Sequence, residues 1–215
     1  MLEFVTKSHR DIIQKLEEEH DMLRKALITT ILLMPFQHAS AGAIDFRVGQ
    51  DMAELSFLTQ TASFGYGGAD IGFGALVNEY NDVIANGSIL VSGSSTGEVK
   101  ALHFGVGAKA YVGTLEGPGA VSLDVDGGAI AIGGRIRYVF PGATPLAVLG
   151  EAFYAPEVTS ISDFDGLLEY RFAVELEVSP SARAYVGYRK MEVTFSRDVD
   201  YEVDDEAHIG VRFEF

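Results

Sequence analysis

The chain has 215 residues, and its 16 Lys and Arg against 31 Asp and Glu give a formal net charge of −15. An acidic chain without a basic patch repels a phosphate backbone, which argues against nucleic acid as a partner. A hydrophobic content of 47% excludes a disordered acidic chain, and the lack of cysteine excludes disulfides, thiolate metal sites and cysteine nucleophiles.

The segment from Met22 to Ala41 has the order of a secretory signal peptide. Arg24 and Lys25 form a charged start, an apolar run follows, and small residues precede a cleavage site that we assign to Ala39, Ala41 and Gly42. The apolar run is too short to span a bilayer as a helix. We therefore expect export, cleavage after Ala41 and a mature domain at 42–215.

Residues 1–21 form a charged segment with a few apolar positions, which predicts a short helix ahead of the signal peptide. Signal peptides normally begin at their charged region. Our hypothesis is therefore that Met22 is the true initiator and that residues 1–21 are an extension of the gene model. The alternative is a charged leader that is removed together with the signal.

After Ala41 the chain alternates apolar with polar or small residues, and Gly, Pro, Ser and Asp clusters separate the alternating segments. In Leu168–Val178 every second residue is apolar, while Glu and Arg occupy most of the positions between them. Similar segments occur at 44–48, 53–57, 71–77, 85–91, 102–112, 130–140, 146–154, 184–195 and 209–215. The pattern predicts a chain-long antiparallel meander.

Three features favour a membrane barrel over a soluble sheet. The strands are about ten residues long, which suits a tilted membrane-spanning strand. Glycines lie on the polar face at Gly72, Gly74, Gly105, Gly107 and Gly133, as the crowded interior of a narrow barrel requires. Aromatic residues lie near strand ends at Tyr111, Tyr138, Phe140, Tyr154 and Tyr188, where an interfacial girdle is expected. We predict an all-β, antiparallel up-and-down transmembrane β-barrel, with a soluble periplasmic β-sandwich binding protein as the alternative.

Ten strands are expected, with eight as the fallback, because single-chain bacterial barrels are normally even-numbered. Longer loops are assigned to 79–82, 113–128, 156–163 and 197–205, and short turns to 60–68, 93–97, 141–145 and 179–181. The apolar phase reverses within 184–195, which predicts a bulge near Arg189 or a strand that extends beyond the membrane.

The chain ends in alternating residues, Ile209, Val211, Phe213 and Phe215. This ending resembles the C-terminal signal by which the assembly machinery recognises bacterial outer-membrane barrels. Residues 150–157 read Gly-Glu-Ala-Phe-Tyr-Ala-Pro-Glu, and residues 186–189 read Val-Gly-Tyr-Arg. With these pieces the mature chain resembles the YfaZ family of small bacterial outer-membrane proteins. The resemblance implies the outer membrane of a Gram-negative bacterium, with membrane lipid, lipopolysaccharide and the barrel-assembly machinery as partners, and it leaves the oligomeric state open.

The polar faces carry charges of both signs that we expect inside the barrel. The predicted lumen charges are Lys109, Arg135, Arg137, Glu151, Glu169, Arg171, Glu175, Arg183, Arg189 and Arg212. Buried ions must be paired or hydrated, so these residues predict either an ion-pair network that fills the lumen or a narrow polar path for small solutes.

The mature chain offers little for catalysis or for binding a cofactor. Its histidines are His103 and His208, and it contains no nucleophile-elbow motif and no zinc motif. We expect no cofactor, no metal site and no enzyme, with a lipid-modifying barrel enzyme that uses His103 and a loop serine as the alternative. The acidic run at 198–206 lacks the glycine and terminal glutamate of a calcium loop. A further hypothesis is that divalent cations bridge it to lipopolysaccharide.

Overall fold

The computed structural model describes residues 42–64, 67–94, 101–116, 125–142, 145–195 and 199–215. The predicted segment 1–21, the signal peptide and its cleavage residues Ala39 and Ala41 lie outside these described residues. Gly42, the third cleavage residue, begins the first strand.

The described residues form ten long strands and one short one. The strands are β1 (Gly42–Val48), β2 (Met52–Phe64), β3 (Gly67–Asn78), β4 (Val83–Ser94), β5 (Leu102–Leu115), β6 (Val125–Val139), β7 (Leu146–Ala155), β8 (Ser160–Ser162), β9 (Phe164–Ser179), β10 (Ala182–Phe195) and β11 (Val199–Glu214). A single 3-10 turn, Glu157–Thr159, precedes β8, which pairs with the start of β6. Within the described ranges no helix is long and apolar enough to cross a bilayer.

The long strands close into an antiparallel barrel. Each long strand pairs with the next long strand in the chain, so β7 pairs directly with β9. The barrel closes where β1 pairs with β11. At the seam Gly42 and Phe215 exchange two backbone hydrogen bonds, of 2.9 and 2.8 Å. The predicted ten-stranded barrel is therefore confirmed with β8 as an addition, and the eight-strand fallback and the open sandwich are wrong.

Alternation along each strand separates two surfaces. In β9, Arg171 is 5% exposed and the next residue, Phe172, is 59% exposed. The pleat points successive side chains to opposite faces, so the charged residues face the interior and the apolar residues form the outer surface. Closure leaves no unpaired strand edge, which is what a membrane-spanning sheet requires.

We call the two ends of the barrel the Phe215 end and the Asp82 end. The Phe215 end also contains Gly42 and the two-residue turn between Ser179 and Ala182. The Asp82 end contains the connections 79–82 and 156–163.

Several predicted strand boundaries are wrong. The turn assigned to 60–68 is much shorter, because β2 continues to Phe64 and pairs there with Gly67 of β3. The loops assigned to 197–205 and 113–128 are also shorter, because β11 begins at Val199 and β5 continues to Leu115. Backbone hydrogen bonds continue along a ladder whatever the side chains are, so small polar residues at strand ends do not stop a strand that has a paired neighbour.

The phase reversal in β10 has a different origin from a bulge at Arg189. The bulge lies on the partner strand, where Met191 pairs with Asp204, Glu192 pairs with Glu202, and Val203 is left over. In β10 itself the odd positions stay inward to the end of the strand, and the outward side chains become polar. The apolar residues at the end of β10 therefore face the interior, and the outward residues beside them are polar.

Inward glycines make room for rings on the neighbouring strand. Gly210 of β11 lies opposite Tyr185 of β10, and a Cβ at position 210 would overlap the tyrosine ring. The Tyr185 hydroxyl donates a hydrogen bond to Asp45, so the ring has a fixed place that a methyl group would disturb.

We expect Gly210→Ala to lower the free energy of unfolding by about 1–3 kcal/mol, because it overpacks the interior. The matched control is Gly150→Ala, where the new Cβ would meet only the Phe172 ring at 3.7 Å. Guanidinium unfolding of the refolded barrel in lipid vesicles, followed by far-UV circular dichroism, measures both. Equal stability of the two variants would contradict the packing of Tyr185 against Gly210.

Candidate functional site

The candidate site is the interior of the barrel, which has three regions along its length. An apolar cluster fills the Asp82 end, buried ion pairs fill the middle, and a wider cavity opens toward the Phe215 end. Each region is built from inward residues of several strands.

Arg189 of β10 is the centre of the middle region. It forms ion pairs with Glu54 of β2, with Asp204 of β11 at 2.5 Å and with Glu169 of β9 at 3.5 Å. The arginine and all three carboxylates are buried. Its guanidinium thus holds carboxylates from three strands, and one of those strands lies on the other side of the β1–β11 seam.

The neighbours of these carboxylates extend the network. Lys109 forms an ion pair with Glu169 at 2.7 Å, and the Tyr111 hydroxyl donates a hydrogen bond to the same carboxylate. Arg47 of β1 contacts Glu54 at 3.1 Å. The lysine ammonium also lies 5.6 Å from the centre of the Phe153 ring, close enough for a cation–π contact.

Ion pairs also line the wall toward the Phe215 end. Arg137 contacts Glu175 at 2.5 Å, and Arg183 lies between Glu214 and the same Glu175. Two further pairs are Arg135 with Asp70 at 2.5 Å and Arg212 with Asp45 at 2.6 Å.

Arg171 is the exception among these arginines. Its nearest carboxylate, on Glu151, is 3.9 Å away, which is too long for a hydrogen bond. Its Nε is buried, and no described residue accepts a hydrogen bond from it.

The structure places all ten predicted lumen charges on the inner face and joins each to an opposite charge. Six further charged residues of the same network are not among the ten predicted positions: Asp45, Arg47, Glu54, Asp70, Asp204 and Glu214. Asp45, Arg47 and Asp70 follow the alternation of their strands, so the pattern contained their signal. Asp204 follows the alternation of β11 as well, in phase with His208 and Arg212, but the sequence placed it in the loop assigned to 197–205.

These interior pairs are balanced in charge. The cations are Arg47, Lys109, Arg135, Arg137, Arg171, Arg183, Arg189 and Arg212, and the carboxylates are Asp45, Glu54, Asp70, Glu151, Glu169, Glu175, Asp204 and Glu214. Eight of each sign leave this network neutral. The excess of negative charge in the chain therefore lies outside it.

The Asp82 end is closed by apolar side chains. Leu76, Ile84, Leu115, Phe153, Phe164, Leu167, Met191 and Val193 are almost completely buried and belong to one cluster, which we call the plug. They come from six strands, β3, β4, β5, β7, β9 and β10, and belong to one buried cluster. The plug fills the interior of the barrel at the Asp82 end.

Asp82 covers the plug. Its buried carboxylate accepts hydrogen bonds from the Asn78 amide at 2.8 Å, from the Tyr201 hydroxyl at 2.6 Å and from the Glu116 backbone N–H at 2.7 Å. One side chain therefore joins the β3–β4 connection to the end of β5 and to β11.

The outer surface is a band of exposed apolar residues. Members on different sides of the barrel include Phe46, Ile89, Val106, Ile132, Phe172 and Ile209. Tyr138, Phe140, Tyr154 and Tyr188 of the predicted girdle also point outward. Tyr111 does not, because it is buried inside the barrel. In the predicted assembly signal, Ile209, Phe213 and Phe215 are exposed on this band and Val211 is half-buried.

The two histidines of the described chain lie at different places in the interior. His208 is buried with its ring against Tyr185, and no described residue bonds either of its nitrogens. His103 lines the cavity near the Phe215 end.

The acidic run does not form one cluster. Glu202 contacts Lys190 at 2.6 Å, Asp200 accepts a hydrogen bond from Thr194, and Asp204 points inside to Arg189. Asp198 of this run lies outside the described residues. Among the residues that the structure describes, no group of His, Asp and Glu is arranged to hold a metal ion.

We expect Arg189→Met to lower the free energy of unfolding by about 3–5 kcal/mol, because it leaves three buried carboxylates without their shared cation. Lys190→Met is the matched control, since the neighbouring Lys190 faces outward and solvent screens its ion pairs. Urea unfolding in lipid vesicles measures the difference. A loss at Arg189 no larger than that at Lys190 would contradict the role of the buried network.

Comparisons with solved structures find other barrels. The match to the NanC porin structure covers 80% of this chain and 98% of that one, with 13% identity and a TM-score of 0.40. The match to the outer-membrane channel DcaP of Acinetobacter baumannii has 11% identity and a TM-score of 0.39, and it covers 80% of this chain and 54% of that one. None of the curated proteins compared with the chain matches it.

A family model described as YfaZ precursor matches residues 23–215. The match includes the whole barrel, and it agrees with the resemblance carried by residues 150–157 and 186–189. The chain belongs to the YfaZ family.

Proposed function

We propose that this protein is an integral outer-membrane barrel that acts as a closed structural element. The observation that carries the proposal is the plug, which fills the interior at the Asp82 end. Below it, the charged middle region leaves a cavity of about 60 Å³, which holds no more than a few water molecules. A barrel filled in this way gives a hydrated solute no continuous path.

The outer surface supports placement in a membrane. Exposed Ile, Val, Leu and Phe side chains surround the barrel, and a soluble protein rarely exposes so large an apolar area. The Phe215 end faces the periplasm in this proposal, because short turns face that side in bacterial barrels. Outer-membrane lipid and lipopolysaccharide then contact the apolar band, and the barrel-assembly machinery binds the exposed Ile209, Phe213 and Phe215.

A narrow pore is the second candidate, and the cavity at the Phe215 end favours it. That cavity has a volume of about 580 Å³ and is lined by charged side chains. A pore would require the plug to move as a unit. We propose no enzymatic role, because both ring nitrogens of the buried His208 lack a hydrogen-bond partner among the described residues.

Membrane fractionation tests the location. We expect the native protein in the outer membrane, with a mass close to that of residues 42–215 and with a gel band that shifts on boiling, because a closed barrel resists SDS until it is heated. A soluble protein whose band does not shift would contradict the proposal.

Conductance tests the closed state. We expect the barrel in a planar bilayer to show no steady channel openings, since the plug and the ion pairs leave no continuous water column. A general porin reconstituted in the same bilayer is the positive control. Frequent openings of the wild-type barrel would overturn the closed barrel and favour the narrow pore.

A further inference from the structure

The cavity at the Phe215 end, which we call the vestibule, has an uneven wall. On one side the inward residues of β3 and β4 are small, among them Gly68 and Ser92. On the other side the residues are long and charged. The small side leaves a space of about 580 Å³, within the size range of a pocket for a small molecule.

Positive charge dominates this wall. Five arginines line the vestibule, Arg135, Arg137, Arg171, Arg183 and Arg212, together with two carboxylates, Asp70 and Glu214. The carboxylates of Asp45 and Glu175 hold Arg212 and Arg137 but do not line the cavity. A concave cavity lined by an excess of one charge focuses the field and attracts the opposite charge. It does so here in a chain whose net charge is −15.

Arg171 gives the independent sign of a ligand. Its side chain is only 7% exposed, its nearest carboxylate is 3.9 Å away, and no described residue accepts a hydrogen bond from its Nε. A buried guanidinium donor without an acceptor is costly, and native structures normally satisfy it. Arg171 lines the vestibule, and the terminal nitrogens of its guanidinium, which are not enclosed as Nε is, are the donors that an acceptor in that space would meet.

We propose that the vestibule binds a small organic anion, through carboxylate or phosphate oxygens that accept hydrogen bonds from Arg171. A planar guanidinium suits such oxygens because it can donate two parallel hydrogen bonds. Arg183 and Arg135 lie on the same wall and supply further positive charge. The site goes beyond the proposed structural role, since a closed barrel can bind a ligand at one end without conducting.

The test uses the full barrel in a neutral detergent, with citrate and inorganic phosphate as probes in calorimetric titrations. We expect saturable binding that weakens as salt is added. Arg171→Met should weaken citrate binding at least tenfold, whereas Lys190→Met, which removes one positive charge from the outer surface, should leave it unchanged. Citrate binding that is absent, or equal in Arg171→Met and the wild type, would overturn the proposal.

A second variant keeps the test valid if Arg171→Met does not fold. Ser92→Glu adds a carboxylate to the small side of the vestibule without removing any ion pair, so it should compete with the ligand and abolish citrate binding. Unchanged citrate binding in Ser92→Glu would also overturn the proposal.

A third measurement distinguishes a free anionic solute from an anionic lipid headgroup. Wild type and Ser92→Glu are placed in vesicles of phosphatidylcholine with or without phosphatidylglycerol, and their thermal stabilities are compared. Stabilisation of the wild type by citrate indicates a free solute, and stabilisation by phosphatidylglycerol alone indicates a lipid headgroup. Either result supports an anion site if Ser92→Glu abolishes it, and no stabilisation by either anion would count against one.

Discussion

The pairing of buried charges is the interaction on which the rest of this interior depends. Closing the sheet satisfies the backbone, but it also removes the inward side chains from bulk water, where isolated ions cost several kcal/mol. Arg189 offsets the desolvation of several charges, because its guanidinium forms ion pairs with carboxylates from β2, β9 and β11. Since its partners lie on separate strands, the network holds only when the barrel is closed in the observed register.

The same constraint divides the interior along its length. Charges occupy the middle and the Phe215 end, while the Asp82 end is filled by apolar residues such as Phe164 and Met191. An apolar plug needs no partners with charge, so it packs as the core of a soluble protein does. At this end the Asp82 carboxylate accepts hydrogen bonds from the Asn78 amide, the Tyr201 hydroxyl and the Glu116 backbone N–H, and so joins three separate parts of the chain. The barrel is therefore sealed at one end and accessible at the other, and this asymmetry underlies both functional proposals.

Much of the fold could be predicted from the sequence, and the reasons for the errors are physical. Leu168–Val178 alternates so regularly that its two faces are evident without a structure. Strand ends were less predictable, because residues 60–63 are mostly small or polar and show no clear alternation, and they form a strand through pairing with β3. Tyr111 was assigned to the girdle by its position near a strand end, but its inward phase puts its hydroxyl on Glu169.

The sequence by itself determined the ten alternating strands, the family and the inward position of charges such as Glu169 and Arg171, because alternation is a local property of each strand. Only the tertiary structure decided which charges pair, that the bulge in β11 turns Val203 inward beside Asp204, and that apolar residues close one end. These features depend on distances across the barrel between strands that are far apart in the chain. The alternation within one strand carries no information about those distances, which are set when the barrel closes.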